Sequence, residues 1–234
     1  MQAIKGAVPL NTSSQKYNGE SSLSPPTGVG GVPEKIETMS EDFNKWSRTY
    51  EQSFLQRIFF DRVHRTVLDT ASFLSEPRSI LDVGCGTGRL LRSAQKRWPK
   101  ANLIGVDPAT GMIEVARHLN PHATFYIASA EAIPIPDASI DIALSTLSSH
   151  HWSDQAAGIR EIARVLRSDG CFVLADHIWP TWVRRLFLGL HTLPHSASTT
   201  SALKEIFESS GLRVSKQIRI FSAFVVVILG IRNG

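Results

Sequence analysis

Residues 80–91 constrain the fold of this chain more than any other stretch, and they have the sequence ILDVGCGTGRLL. The apolar residues before the glycines are typical of a buried strand, and the residues after them are typical of a helix. Gly84, Gly86 and Gly88 allow backbone angles that other residues avoid, and they let a ligand approach the main chain without meeting a Cβ atom. Because a helix N-terminus follows, the turn favours a nucleotide-type cofactor.

Strand-like and helical patterns alternate after this turn. The strand patterns cover residues 102–107, 124–128, 140–145 and 171–176. This alternation predicts an α/β fold with a doubly wound parallel sheet and helices on both faces. Two more strand patterns, 213–221 and 224–231, are too close in sequence for a parallel crossover. We therefore expect a seven-stranded Rossmann-like sheet, mostly parallel, with an antiparallel C-terminal strand.

Composition divides the chain into a leader and one domain. Residues 1–38 are rich in Ser, Gly, Pro, Asn and Thr and lack hydrophobic periodicity, so we expect a flexible N-terminal leader. Residues 39–234 suffice for one core, and we expect a single domain there. Within it, residues 39–76 should form a helical cap and residues 178–200 a short lid. A helix from about residue 52 to residue 74 should end before Pro77.

Charge and cysteine content indicate a cytoplasmic protein that does not bind nucleic acid. The net charge is +4, and the basic residues are spread along the chain. Their densest group lies along one helix with apolar residues between, which favours a solvated face over a nucleic-acid footprint. The two cysteines, Cys85 and Cys171, indicate neither a disulfide framework nor a metal site. The longest apolar stretch, 223–231, is too short to cross a bilayer, so we expect no integral membrane segment.

The acidic residues near the turn narrow the choice of cofactor. Asp107 ends the second strand, about twenty residues after the turn, where a carboxylate accepts hydrogen bonds from ribose hydroxyls. The dinucleotide fingerprint places a glycine where this chain has Arg89, and the lysine of a P-loop is missing. Asp82 would repel a pyrophosphate and suits a cationic group. S-adenosylmethionine, a ribonucleoside with a positive charge and no phosphate, meets this description.

At this point the chain resembles the class I S-adenosylmethionine-dependent methyltransferases, in particular the type 11 branch that includes ubiquinone and menaquinone biosynthesis methyltransferases. The resemblance covers about residues 43–177. It is carried by LDVGCGTG at 81–88, GVDPATGM at 105–112, AEAIPIPD at 130–137 and EIARVLRSDG at 161–170.

The resemblance implies which residues bind the cofactor. The acid of the second motif holds the ribose, the residues after it flank the adenine, and residues near the start of the third motif contact the adenine edge. Ser129 stands where the family commonly has an acid, so we expect a weaker contact there. An aromatic ring near the sulfonium would contribute a cation–π contact. The expected cofactor-binding residues are Tyr50, Asp82, Gly84, Cys85, Gly86, Gly88, Asp107, Pro108, Met112, Ser129, Ala130, Glu131 and Ser145.

Methyl transfer to a hydroxyl or an acidic carbon benefits from a base. His150 follows the fourth strand and His177 follows the fifth, and strand C-termini in such sheets face the ligand crevice. We take these two histidines as the catalytic candidates. The alternative for the pair His150 and His151 is helix capping or packing beside Trp152.

The expected methyl acceptor is a small, largely apolar metabolite methylated on oxygen or carbon, and we expect a monomer or homodimer. Two alternatives stay open. One is a protein or nucleic-acid methyltransferase. The other is a protein that binds S-adenosylmethionine without methyl transfer, for a pericyclic, decarboxylating or regulatory purpose.

Overall fold

The computed structural model describes residues 54–177, 199–221 and 224–234. The predicted leader, Tyr50, residues 39–53 of the predicted cap and most of the predicted lid lie outside these residues. The helices are α1 (Phe54–Ala71), α2 (Arg89–Arg97), α3 (Thr110–Leu119), α4 (Gln155–Val165) and α5 (Thr200–Ser209). The strands are β1 (Ser79–Val83), β2 (Asn102–Asp107), β3 (Thr124–Ile127), β4 (Ile140–Thr146), β5 (Leu166–His177), β6 (Leu212–Ile220) and β7 (Val225–Arg232).

The strands form one seven-stranded sheet in the order β3-β2-β1-β4-β5-β7-β6. The pairs from β3 through β5 are parallel, whereas β7 is antiparallel to both β5 and β6. The predicted sheet and its antiparallel C-terminal strand are therefore confirmed. The strand order reverses between β1 and β4, and ligands of such sheets bind in the crevice at that point.

Helices cover both faces of the sheet, as predicted. Successive side chains of a strand point to opposite faces, so Ile80 and Leu81 of β1 enter different cores. The core around Ile80 includes apolar residues of α1, α2 and α3. The core around Leu81 includes apolar residues of α4 and α5. The two cores fix the C-terminal ends of β1, β4 and β5 beside one another.

The start of β5 differs from the prediction. Residues 168–170 have the composition of a turn, but they lie within β5, which begins at Leu166. The strand pairing explains this extension, because Leu166 pairs with Ile140 and the next paired residue, Cys171, pairs with Ile142. The extra residues are accommodated by a bulge, with Asp169 at φ 62°.

Candidate active site

The glycine turn after β1 is a left-handed turn tied to the end of β2. Gly84, Gly86 and Gly88 have φ angles of 72°, 52° and 72°. The backbone N–H groups of Gly84 and Cys85 both donate to the carbonyl oxygen of Val106, at 2.8 and 3.0 Å. These two N–H groups are already hydrogen-bonded within the protein. The turn therefore exposes to a ligand mainly the main chain of its glycines, which carry no side chains.

Gly86 is the open point of this turn. A Cβ atom added at Gly84 would lie 2.3 Å from Oγ of Ser148, and one added at Gly88 would lie 2.7 Å from Nδ2 of Asn120. A Cβ atom at Gly86 would meet no atom within 4 Å. Packing therefore requires glycine at positions 84 and 88, whereas Gly86 borders open space in which a ligand can lie.

Asp107 ends β2 with its carboxylate over the glycine turn. Oδ2 accepts a hydrogen bond from the N–H of Gly86 at 2.9 Å, and Oδ1 accepts one from the N–H of Ala109 at 2.9 Å. Burial raises the pKa of Asp107, although these two N–H groups oppose that shift. Each oxygen of a carboxylate has a second lone pair, so Asp107 can still accept hydrogen bonds from ribose hydroxyls.

Asp82 lies in β1, just before the turn, and is 1% exposed. Among the described residues its Oδ1 atom has no hydrogen-bond partner. Burial, followed by the negative charge of Asp107, raises the pKa of Asp82 to about 8. Within residues 54–177, 199–221 and 224–234, neither Asp82 nor Asp107 forms an ion pair. Because buried carboxylates are stabilised by opposite charge, this pair favours a cationic ligand.

The residues predicted for the adenine side lie on two segments. Pro108 is exposed and Met112 of α3 is buried. After β3, Ser129 is half-buried and Ala130 is buried. Glu131 contacts the start of α4, because its Oε1 atom accepts a hydrogen bond from the N–H of Asp154 at 3.1 Å.

Arg164 of α4 holds the loop that follows those residues. Its guanidinium donates to the carbonyl oxygens of Ile133 and Ile135, each at 2.9 Å, and to the carboxylate of Glu161 at 2.8 Å. Glu161 also accepts a hydrogen bond from the N–H of Ile133 at 3.2 Å. Residues 128–139 form the adenine-side loop, named for its predicted contact with adenine. Its conformation therefore depends on one arginine of the neighbouring helix.

Two predicted residues face inward at the turn. Cys85 is buried and packs against Gly105, and burial raises the pKa of its thiol well above the usual range. Its side chain is therefore a neutral packing group. Ser145 of β4 is also buried, and its Oγ atom lies 2.8 Å from Oγ of Ser148, which donates to the carbonyl oxygen of Val83 at 3.1 Å. These serines join the end of β4 to the end of β1.

His150 and Asp176 form a hydrogen-bonded pair at the ends of β4 and β5. Nδ1 of His150 lies 2.7 Å from Oδ1 of Asp176, and the N–H of His150 donates to Oδ2 at 3.1 Å. Asp176 also accepts hydrogen bonds from Oγ of Ser149 and, at 2.7 Å, from the N–H of His177. Burial opposes ionisation of Asp176, but its hydrogen bonds and the neighbouring imidazole outweigh burial and lower its pKa.

The structure brings both predicted catalytic histidines together. The ring centroids of His150 and His177 are 5.7 Å apart. The His177 ring also stacks on Phe59 of α1, at 6.2 Å between centroids, and Phe59 in turn stacks on Phe221, at 4.7 Å. His151 lies beside His150, with centroids 4.0 Å apart. Aromatic side chains therefore line one side of the histidine cluster.

Sequence reasoning missed Asp176 as a functional residue. The signal was available, because Asp176 is an acid at the end of a buried strand, the same pattern that pointed to Asp107. Among the described residues, no group of three His, Cys, Asp or Glu side chains can hold a metal ion.

Comparison with known proteins is consistent with this geometry. Residues 81–174 match the family model described as a methyltransferase domain. This segment is therefore similar to the methyltransferase domains of the type 11 family. Its cofactor is S-adenosylmethionine. The site fits that cofactor, because open space at Gly86 admits a ligand and the carboxyls of Asp82 and Asp107 suit a cationic nucleoside.

Three relatives illustrate the similarity of the methyltransferase domain. The uncharacterized methyltransferase YcgJ of Bacillus subtilis is 36% identical over 119 residues, which make up 49% of this chain and 46% of that protein. Its crystal structure has a TM-score of 0.60 at 22% identity and covers 73% of this chain and 99% of the other. A malonyl-[acyl-carrier protein] O-methyltransferase of Xylella fastidiosa is 30% identical over 161 residues, which make up 65% of this chain and 53% of that protein.

The third relative is the ubiquinone/menaquinone biosynthesis C-methyltransferase UbiE of Campylobacter jejuni. It is 27% identical over 159 residues, which make up 61% of this chain and 65% of that protein. The chain spans about half the length of the first curated relatives it matches. Of the helices in the described residues, none is long and apolar enough to cross a membrane.

Proposed function

We propose that this protein transfers the methyl group of S-adenosylmethionine to oxygen or carbon of a small, largely apolar acceptor. The proposal rests on one observation: two groups of residues, called here the first and second half-sites, lie next to each other where the strand order of the sheet reverses. The open glycine and the carboxyls of Asp82 and Asp107 lie at the ends of β1 and β2, and the histidine cluster lies at the ends of β4 and β5. The relatives named as O- and C-methyltransferases support the same class of reaction.

In this proposal the first half-site holds the cofactor. Asp107 accepts hydrogen bonds from the ribose hydroxyls. Because Gly86 has no side chain, the ligand can contact the main chain there. Asp82 faces the cationic methionine portion. Pro108, Met112 and the residues from Ser129 to Glu131 border the adenine. The cofactor supplies an electrophilic methyl group on a sulfonium.

The second half-site receives the acceptor. Phe59 and Phe221 provide apolar faces, and His177 lies between this aromatic wall and His150. We assign His177 to the wall, because only its backbone N–H is hydrogen-bonded to Asp176. His150 is the group that takes a proton from the acceptor. Proximity of bound reactants accounts for much of the acceleration in such reactions, about 7–11 kcal/mol in favourable cases.

Release of S-adenosylhomocysteine from the full chain tests the reaction, with panels of phenols, quinols and carboxylic acids as acceptors. The Asp107→Ala variant tests the assignment of the cofactor half-site by calorimetry. We expect it to lose S-adenosylmethionine binding, whereas Asp69→Ala, which removes an exposed carboxylate of α1, retains it. Unchanged affinity in Asp107→Ala would contradict the assignment. Cofactor binding without product release on any acceptor would favour a protein that does not transfer the methyl group.

A further inference from the structure

We infer that Asp176 is a positioning residue that holds His150 as the base for an acceptor bearing an ionisable hydroxyl. This inference rests on the proposed function and narrows its substrate to a class, which is hydroxyl compounds rather than carboxylic acids. Asp176 touches neither reactant in this scheme. It acts through the imidazole of His150.

The hydrogen bonds around Asp176 determine the tautomer of His150. An ionised carboxylate only accepts hydrogen bonds, so the hydrogen between Asp176 and His150 belongs to Nδ1 of the ring, at 2.7 Å from Oδ1. In a neutral imidazole the lone pair then resides on Nε2. Nε2 is therefore the atom that can receive a proton.

Other groups hold the carboxylate in this orientation. Asp176 is 2% exposed, and the N–H groups of His150 and His177 donate to its two oxygens at 3.1 and 2.7 Å. Ser149 donates through Oγ, and that Oγ atom accepts a hydrogen bond from Nε2 of Gln155 at 2.9 Å. The carboxylate is thus fixed from both neighbouring strand ends, which fixes the plane of the His150 ring.

A base of this kind matters only for an acceptor that must lose a proton. A carboxylic acid with a pKa of about 4 is already ionised at neutral pH, whereas a phenol with a pKa of about 10 is ionised to about one part in a thousand. In the proposed step the hydroxyl O–H bond breaks and its proton moves to Nε2 of His150. The hydroxyl oxygen forms a bond to the methyl carbon, and the carbon–sulfur bond breaks with its electron pair remaining on sulfur. The stacked rings of Phe59, Phe221 and His177 favour a flat, aromatic hydroxyl compound.

The first experiment compares two phenols of the same shape on the full-length protein. One has a pKa of about 10, and the other carries electron-withdrawing substituents that ionise it at neutral pH. We expect Asp176→Asn to lower kcat about 100-fold or more for the weakly acidic phenol and less than about 10-fold for the ionised one, with KM for S-adenosylmethionine unchanged. The same pattern should appear in His150→Gln. The controls are Asp169→Asn, an exposed acid in the same strand, and His122→Gln, an exposed histidine before β3.

The second measurement needs neither turnover nor a variant that folds. Nitrogen-15 NMR of the unliganded wild type reports which ring nitrogen of His150 carries hydrogen, and we expect Nδ1. In a folded Asp176→Asn variant we expect a mixture of tautomers, because the amide can either donate or accept. Both results would support the positioning role.

Several outcomes would overturn the inference. Hydrogen on Nε2 of wild-type His150 would do so, and so would equal losses of kcat for the two phenols. Faster product release with carboxylic acids than with phenols would overturn the acceptor class alone. If the wild type releases no S-adenosylhomocysteine with any acceptor, the proposed function fails, and the NMR result still decides the role of Asp176.

Discussion

Replacement of Asp82 by asparagine isolates the free-energy cost of a buried carboxyl at the proposed cofactor site. Burial, and then the charge of Asp107, raises the pKa of Asp82 from 3.8 to about 8. At neutral pH the side chain is therefore protonated in the folded protein and ionised in the unfolded chain. Because the folded state holds a proton that the unfolded state has released, the free energy of unfolding falls as the pH rises between these two values.

The size of this loss of stability follows from the pH range between the unfolded and folded pKa values of Asp82. The protein is most stable, as far as this group is concerned, below the unfolded pKa of 3.8, and the contribution is lost by about pH 8. Each pH unit inside the interval costs about 1.4 kcal/mol. Between about pH 5 and about pH 8 the wild type should therefore lose about 4 kcal/mol from Asp82 alone.

The Asp82→Asn variant cannot undergo this titration. Its amide stays neutral, although burial of an amide without partners costs about 1–3 kcal/mol. We expect the variant to be about as stable as the wild type, or up to about 1 kcal/mol less stable, near pH 5 and about 3–4 kcal/mol more stable near pH 8. Above about pH 5 this substitution would raise the free energy of unfolding but weaken the proposed ligand site. A residue that serves to bind a ligand often destabilises the protein when the ligand is absent.

Urea unfolding of the ligand-free protein, followed by circular dichroism at several pH values, measures the difference. The Asp169→Asn variant is the matched control, because it removes an exposed acid of β5 and should follow the wild type at every pH. If the free energies of unfolding of Asp82→Asn and the wild type change by the same amount from about pH 5 to about pH 8, the reasoning about Asp82 is wrong.

A linked measurement connects Asp82 to the cofactor. A cation bound beside Asp82 lowers its pKa and expels the proton. Calorimetry of S-adenosylmethionine binding near pH 7, in buffers of different ionisation enthalpy, should show release approaching about one proton in the wild type and about none in Asp82→Asn. Equal proton release in both proteins would place the titrating group elsewhere.

The remaining predictions concern the turn and the adenine-side loop. Gly86→Ala and Gly211→Ala both place a Cβ atom on a backbone with positive φ and in open space, so each should cost about 1 kcal/mol of stability. Only Gly86→Ala should also weaken S-adenosylmethionine binding, by about 10-fold or more in calorimetry, and equal affinities would contradict the placement of the ligand. Arg164→Ala leaves the carbonyls of the loop without their donor and should cost about 2–3 kcal/mol, or about 4–10 °C in Tm by calorimetry. The matched variant Arg160→Ala removes a 59% exposed arginine of the same helix and should change Tm by less than about 2 °C; similar losses would refute the role of Arg164.

Local patterns in the sequence were sufficient for most of the fold. Glycine spacing and apolar runs placed β1, β2 and the glycine turn. The short separation of the last two strand patterns gave their antiparallel pairing. These features depend on backbone angles and on the period of hydrophobic residues, which neighbouring residues determine.

Other features depend on residues far apart in the chain. The extension of β5 back to Leu166 arises from pairing with Ile140, which overrides the turn composition of residues 168–170. The dependence of the adenine-side loop on Arg164 likewise requires the docking of α4 against it.

The sequence by itself indicated the class of the fold and the resemblance to the methyltransferases, and it singled out Asp107 as the acid proposed for the ribose. Each of these rests on a short motif or pattern with its own spacing. Only the tertiary structure showed that Oδ1 of Asp82 has no hydrogen-bond partner among the described residues and that Asp176 is hydrogen-bonded to His150. Burial and hydrogen-bond pairing are properties of the packed chain. His150 and Asp176 meet because β4 and β5 are neighbours in the sheet, and no local pattern around either residue specifies that contact.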